Sequence, residues 1–403
     1  MSRLLQINVT ANWGSTGKIA EQIGHIAKDN GWDSYIAYGR MSNPSESKLL
    51  KIGNTLDVYC HYAESRIFDR EGMASRRATK KLIQQINDIS PDVIHLHNIH
   101  DHYLNYPILL SYISEKKIPV IWTFHDCWAF TGHCTYFQEM DCEKWKTGCN
   151  HCPQSLGLID KSERNYLLKK QITDRLHSLV IVPVSEWLAS YVRSSFFKNR
   201  KITVVDNGID TDIFKPTPIA PAQFSSIPEG RFVILAMANG WDFGGRKGLD
   251  DYIKMSKMLS DDECIVLVGM SSDMIKKMPS NIIGINKVNN QKLLAHLYTK
   301  ADVVTSLSSA ETFGMTVIEA NACGTPVVVY DNSAPPYLVT EQTGLIAKNK
   351  DVADAYNKIQ IIKERGKSYY SEPCVKYARE KYDKRVCFNK YLDIYESLLV
   401  TEG

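Results

Sequence analysis

No apolar run in this sequence approaches the roughly 18 residues that cross a bilayer; Leu179 to Val184, for one, ends after six. The leading stretch Met1 to Asn12 turns polar without a signal-peptide cleavage pattern, so a cytoplasmic protein is expected. Neither sign of charge dominates: 48 Lys and Arg stand against 45 Asp and Glu, a net of +3, which excludes a protein whose main role is to coat nucleic acid. With 23 Gly and 15 Pro the chain is neither collagen-like nor low-complexity, and 44% hydrophobic and 23% charged residues exclude a disordered one. No short-period repeat is present, so solenoids and propellers drop out. A globular chain of 403 residues remains, long enough for two or three domains with their own cores.

Strand-like and helix-like stretches alternate along it. Apolar runs at Arg3 to Thr10, Asp33 to Tyr38, Val93 to Leu96, Val120 to Phe124, Leu179 to Val184 and Ile202 to Val205 are separated by helical patterns, the first carrying Ile19, Ile23 and Ile26. Such alternation implies crossover connections and a parallel sheet covered on both faces. From Asp210 to Arg231 the pattern breaks at Pro216, Pro218, Pro221 and Pro228, which reads as a linker. A second series follows, with strands at Phe232 to Ala238, Cys264 to Gly269, Val303 to Leu307 and Pro326 to Tyr330 and helices near 248–259, 290–300 and 315–323. Two doubly wound α/β domains facing each other across a cleft are therefore expected, 1–208 and 209–385, with a last helix in 386–403.

The glycine loop Gly14-Ser15-Thr16-Gly17 lacks the spacing of a P-loop and the third glycine of a dinucleotide fingerprint. It is either a structural turn or a helix start that meets a phosphate or a sugar hydroxyl. In the back half, Ser309 to Glu319 follows a strand and opens a helix. Thr312, Phe313, Gly314, Met315 and Thr316 would offer N–H groups to a diphosphate, with Glu311 before the turn and Glu319 one turn inside as hydroxyl acceptors. Taken alone, the pair equally describes an amphipathic helix with exposed glutamates. Arg246 and Lys247, in a glycine loop after the first strand of the second domain, add cations at the carboxyl end of the same sheet.

Together Arg246-Lys247-Gly248, Glu311-Thr-Phe-Gly-Met-Thr-Val-Ile-Glu319, Cys323-Gly-Thr-Pro-Val-Val and Asn207-Gly-Ile-Asp210-Thr-Asp-Ile-Phe214 resemble the family 4 retaining glycosyltransferases of GT-B architecture, over nearly the whole chain. The resemblance implies two Rossmann-like domains, an acceptor-side one in front and a donor domain behind, with the last helix crossing back to the first. It implies transfer of a sugar from a nucleotide diphosphate donor, a UDP- or GDP-sugar, to a glycan or lipid-linked acceptor. By that resemblance Glu319 binds the donor ribose, Glu311 the transferred sugar and Phe313 to Thr316 the diphosphate, while Lys247 is the diphosphate lysine. The family's arginine five residues earlier is Asp242 in this chain, and the adjacent Arg246 is the candidate replacement. His125, delivered by the strand Val120 to Phe124, matches the family's histidine near the transferred sugar. His95, His97 and His100 are either core histidines or part of the same site. No cofactor is expected for the chemistry, because the departing phosphate is thought to accept the acceptor's proton.

Ten cysteines in a cytosolic chain should be reduced, and four crowd into segment 127–153: Cys134, Cys142, Cys149 and Cys152. Their closing Cys-x-x-Cys points to structural zinc; buried thiols and a disulfide or redox pair are the alternatives. A cysteine-rich segment at this place resembles a bacterial subgroup linked to extracellular polysaccharide assembly. Two basic clusters, Arg66, Arg70, Arg76, Arg77, Lys80 and Lys81, and Arg193, Lys198, Arg200 and Lys201, either meet anionic lipid or form a solvated face. The expected protein is a retaining glycosyltransferase of capsule or exopolysaccharide biosynthesis in the cytoplasm, peripherally associated with the inner membrane. The alternatives are a nucleotide-sugar epimerase or hydrolase of the same fold and a non-catalytic sugar-nucleotide-binding protein.

Overall fold

In the computed structural model, which describes residues 1–155, 158–217, 224 and 226–400, the aliphatic runs of the front half become seven strands. They are β1 (Arg3–Asn8), β2 (Asp33–Tyr38), β3 (Lys48–Lys51), β4 (Val93–Leu96), β5 (Val120–Phe124), β6 (Leu179–Pro183) and β7 (Lys201–Ile202). All pairings are parallel, in the order β3-β2-β1-β4-β5-β6-β7. Sequence order reverses between β1 and β4, and at such a switch point the loops at the carboxyl ends part to leave a crevice. Every residue of β4, β5 and β6 is buried, as parallel strands covered on both faces require.

The back half repeats the plan with β8 (Phe232–Met237), β9 (Glu263–Val268), β10 (Ile282–Ile285), β11 (Val303–Ser306), β12 (Val327–Tyr330) and β13 (Gly344–Ala347). Their order is β10-β9-β8-β11-β12-β13, again parallel, with the switch point between β8 and β11. The core is built on Ile234, Ile265, Leu267, Val303 and Val328, closed by Leu249, Tyr252 and Met255 of helix Leu249–Ser256.

The chain forms two compact units: Met1–Asp206 with the residues from Cys387 on, and Asn207–Val386. Helix Lys384–Val400 thus ends inside the first unit, where its buried Tyr395 and Tyr391 meet polar groups of the sheet. The Tyr395 hydroxyl lies 2.7 Å from His95 Nδ1, and Tyr391 3.0 Å from Thr123 Oγ1.

Three strands were not expected from the sequence: β3, β10 and β13. Each is four residues long and lies at or next to a sheet edge, with at least one partly exposed position, so its apolar run is short. The run expected at Ile202 to Val205 shortens to Lys201–Ile202, although Thr203 and Val205 still donate to the carbonyls of Ile181 and Pro183. The expected linker is in part a fixed portion of the second unit. Ile209 bridges Asp383, Lys384 reaches Asp210 at 2.6 Å, and Arg385 reaches Asp212 at 2.9 Å. Pro218 and Pro221 lie outside the described residues.

Candidate active site

In the second unit, the loops after β8, β11 and β12 converge at the switch point. The loop after β8 folds through tight turns, Gly245 N–H to Asp242 C=O and Gly248 N–H to Gly245 C=O, each at 3.1 Å, and presents Arg246 and Lys247. The loop after β11 locks onto it: Ser309 N–H donates to the Arg246 carbonyl at 2.9 Å, and the Arg246 guanidinium donates to the Ala310 carbonyl. Lys247 donates to Glu311 Oε1, and Arg246 NH1 stands 3.6 Å from the same oxygen. The loop after β12 supplies the third side, Ser333 Oγ accepting from Glu311 N–H at 2.9 Å and Asn332 reaching the Ser309 carbonyl. Glu311 is therefore fixed through its backbone as well as its side chain, and only 17% of that side chain is exposed.

Three residues beyond Glu311 the chain turns through Gly314, whose φ of +110° is in the left-handed region. That φ calls for glycine, and a Cβ there would also sit a tight 3.3 Å from both Leu338 and Pro335. Helix Met315–Ala322 starts immediately after it. The first-turn amides of a helix have no intrahelical carbonyl to bond, so the helix start is polarised positive. Val317 and Ile318 are buried, while Glu319 accepts a 2.7 Å hydrogen bond from the Tyr298 hydroxyl. Burial, with the Glu319 carboxylate beside it, pushes the Tyr298 phenol well above its usual range, so it remains a donor. Asp242, at the position where the resemblance expects arginine, is exposed.

The first unit carries the other candidates. His125 follows β5 directly and His97 follows β4, with His97 Nδ1 3.1 Å from His125 Nε2. Gln6 on β1 sets their tautomers. Its amide nitrogen donates to the Ala20 carbonyl at 2.8 Å, which leaves Oε1 facing His97 Nε2 at 3.0 Å. His97 Nε2 must then carry the proton, Nδ1 must accept, and His125 Nε2–H must donate, an assignment made from the bonding network. His125 consequently presents Nδ1 as a lone pair. Burial drives His125 down to about 4, so it is neutral near pH 7.

His95 is a core histidine, fully buried between Tyr395 and Thr123 and stacked on His97 at 4.1 Å. His100 differs. Burial opposes its charge, but Asp126 Oδ2 at 2.9 Å and Glu71 Oε1 at 3.5 Å raise it to about 10.

The glycine loop divides in two. Gly17 is buried, and a Cβ there would lie 2.6 Å from Thr10 Oγ1, so it serves the packing of helix Gly14–Asp29 on the loop that follows β1. Gly14 and Ser15 are exposed at the helix start. Asn8, which no motif marks, ties the switch point together: its Nδ2 reaches the Thr10 carbonyl at 2.8 Å and Thr16 Oγ1 at 3.4 Å, and its Oδ1 accepts from Asn98 N–H at 3.3 Å. Cys134, Cys142, Cys149 and Cys152 line one small cavity in the segment after β5. Nothing in the sequence marks Tyr298, Ser333 or Gln6 either, because each acts on a partner on a different element.

Residues 25–213 match the family model described as Glycosyltransferase Family 4, and residues 223–381 the one described as Glycosyl transferases group 1. WcaC of Escherichia coli K12, named as a glycosyl transferase of colanic acid biosynthesis, is 21% identical over 98% of this chain and 100% of its own. Among solved structures, sucrose-phosphate synthase from Thermosynechococcus elongatus superposes with a TM-score of 0.75 at 15% identity, covering 100% of both chains. HepE of Anabaena in complex with UDP-glucose superposes with a TM-score of 0.66 at 13% identity, covering 98% of this chain and 100% of that one. With two doubly wound parallel-sheet domains and two family models that together span most of the sequence, the chain belongs to the family 4, group 1 glycosyltransferases of GT-B fold.

Proposed function

We propose that this glycosyltransferase moves a sugar from a UDP- or GDP-sugar onto a glycan or lipid-linked acceptor in bacterial surface polysaccharide biosynthesis, with retention at the anomeric carbon. The observation that carries the reading is the meeting of Lys247, Arg246 and Glu311 beside the start of helix Met315–Ala322. The polysaccharide context rests on the likeness to WcaC, and the nucleotide-sugar donor on the fold shared with HepE and its bound UDP-glucose.

In this reading the diphosphate sits at the helix start, on the amides of Phe313 to Thr316. It competes with Glu311 for Lys247, which leaves Glu311 to accept hydroxyls of the sugar. Glu319, oriented by Tyr298, accepts from the ribose. As the sugar–phosphate bond breaks, charge grows on the departing diphosphate, and Lys247, Arg246 and the helix end stabilise it where it develops. That phosphate takes the acceptor's proton on the same face. His125 is neutral at working pH and contributes through hydrogen bonding on the acceptor-side domain, which also carries Gly14, Ser15 and Thr16 as an acceptor or phosphate loop. The cations of the loop after β8 do the electrostatic work of a divalent ion, so turnover in chelator should match turnover without it.

Peripheral attachment to the cytoplasmic face of the membrane is part of the proposal. Among the described residues no helix is long and apolar enough to cross a membrane. Helix Thr55–Phe68 exposes Leu56, Tyr59, Ile67 and Phe68 beside Arg66, and Arg76, Arg77, Lys80 and Lys81 are exposed on helix Arg76–Ile89. The second basic cluster supports it less: Arg193 is paired with Glu186, and Arg200 caps carbonyls of Leu176 and Thr173.

The test is release of nucleoside diphosphate with product analysis by nuclear magnetic resonance. Lys247→Ala should lower turnover by about 100-fold or more with its melting temperature near wild type, since single charge-stabilising donors contribute on that scale. Glu319→Ala, which removes the ribose acceptor and the acceptor of the buried Tyr298 hydroxyl, should lower turnover at limiting donor by at least tenfold with about 1–3 kcal/mol lost in stability. Wild-type rates in either variant would overturn the site. A product with inverted configuration, or an epimerised sugar without a new glycosidic bond, would overturn the reaction.

A further inference from the structure

We propose that the segment following β5 is a metal site: one zinc-class divalent ion bound by Cys134, Cys152 and His133, whose ligand atoms all lie within 4.8 Å of one another, with Cys142 and Cys149 lining the same cavity and Asp69 behind His133. It is separate from the transfer chemistry and does not depend on that reading.

The cysteines come from distant turns yet line one cavity. That cavity is about 10 Å³, room for roughly one water-sized sphere, which suits a single ion. Cys134 and Cys152 have their sulfurs 3.5 Å apart, far beyond the ~2.05 Å of a disulfide. It is close to the ~3.8 Å separation of two sulfurs on one tetrahedral ion with ~2.3 Å bonds. Among the described residues, which include all ten cysteines, no disulfide is formed.

The surroundings are those of a bound thiolate. Gly132 N–H points at Cys149 Sγ at 3.2 Å, and His133 Nε2 lies 3.2 Å from Cys152 Sγ. The other nitrogen of His133 is 3.1 Å from the buried Asp69 carboxylate, which is also held by Lys161 N–H at 2.8 Å. A carboxylate on the far nitrogen is the usual support of a metal-ligating histidine, and sequence spacing alone could not place Asp69 there. Lys144, anchored on the carbonyls of Asn150 and His151 at 2.9 and 3.1 Å, lines the cavity and offsets thiolate charge.

The segment needs such a tie. Among the described residues between β5 and helix Ser162–Asp174, regular structure is limited to three short 3-10 turns: Trp128–Phe130, Gln138–Met140 and Lys144–Lys146. Trp128 packs outward on Tyr106, and what is left is chiefly a small aromatic cluster of Phe130, Phe137 and Trp145 against Tyr191, too little for a core of its own. Binding holds Cys134 and Cys152 as thiolates and fixes the loop that continues from His125 and Asp126.

Full-length protein purified under reducing conditions without chelator should carry about one zinc per chain by elemental mass spectrometry. Cobalt(II) exchanged into it should give thiolate charge-transfer and tetrahedral ligand-field bands. Cys134→Ser with Cys152→Ser should lose at least nine-tenths of the metal, and His133→Ala should lose it to chelator at least tenfold more readily than wild type. Metal-free wild type, a Cys134–Cys152 disulfide found by alkylation without reduction, or full metal in the double variant would each overturn the proposal. Retention by His133→Ala equal to that of wild type would overturn the place of His133 in the ligand set. The wild-type measurements decide the matter even if a variant fails to fold.

Discussion

His125 and His100 sit at the same sheet end with opposite electrostatics. Burial lowers His125 to about 4, whereas the carboxylates around His100 overcome burial and raise it to about 10. Against an unfolded value near 6.5, the two give stability opposite slopes. Between about pH 4 and 6.5 the unfolded chain takes up the proton that folded His125 refuses, so stability rises with pH. The stabilisation from His100 is fully present below about 6.5 and is lost as pH rises toward 10. The stability difference between wild type and His100→Gln should therefore shrink by on the order of 3 kcal/mol from pH 6 to pH 10, measured by thermal or denaturant unfolding. A pH-independent difference would contradict the ion-pair account. At this scale the sequence conveys residue type and local spacing. Glu311, Gly314 and Glu319 are legible because one loop and one helix carry them, and His125 because a strand ends there. Tyr298 against Glu319, or Gln6 against His97, is set by tertiary contact over 21 and 91 residues and leaves no local mark.

Among the elements, the turn into helix Met315–Ala322 is constrained by its glycine. Its Gly314 combines a left-handed φ with close contacts to Leu338 and Pro335. Gly314→Ala should cost about 1–3 kcal/mol of stability through backbone strain. It should also weaken donor binding more than tenfold, because the amides of the helix start are re-aimed; a donor KM within twofold of wild type would show that those amides do not hold the diphosphate. Long buried strands such as β5 and β6 were readable as continuous apolar runs. The edge-side strands β3, β10 and β13 were not, since four residues with partly exposed positions carry no decisive period. Helix Lys384–Val400 was legible as a helix, but its docking depends on Tyr391 and Tyr395 finding Thr123 and His95.

For the whole molecule, two sheets built on the same winding each place their switch point among the loops that carry the candidate residues. The cationic and carboxylate groups that suit a nucleotide diphosphate sugar all lie in Asn207–Val386, and the histidine and cysteine features in the other unit. The alternation of strands and helices made this plan readable, whereas the contacts of residues 382–385 with 209–212 that secure the start of the second unit are long-range and were read as linker. The central claim, that Lys247 and the start of helix Met315–Ala322 hold the donor diphosphate, is tested most directly by titration calorimetry of UDP, GDP and their sugars into wild type and Lys247→Ala. One nucleotide series should bind wild type with Kd in the micromolar to millimolar range, and Lys247→Ala should weaken it at least tenfold, a loss of about 1.4 kcal/mol or more. Equal affinity in the two proteins, or no binding of either series to wild type, would contradict it.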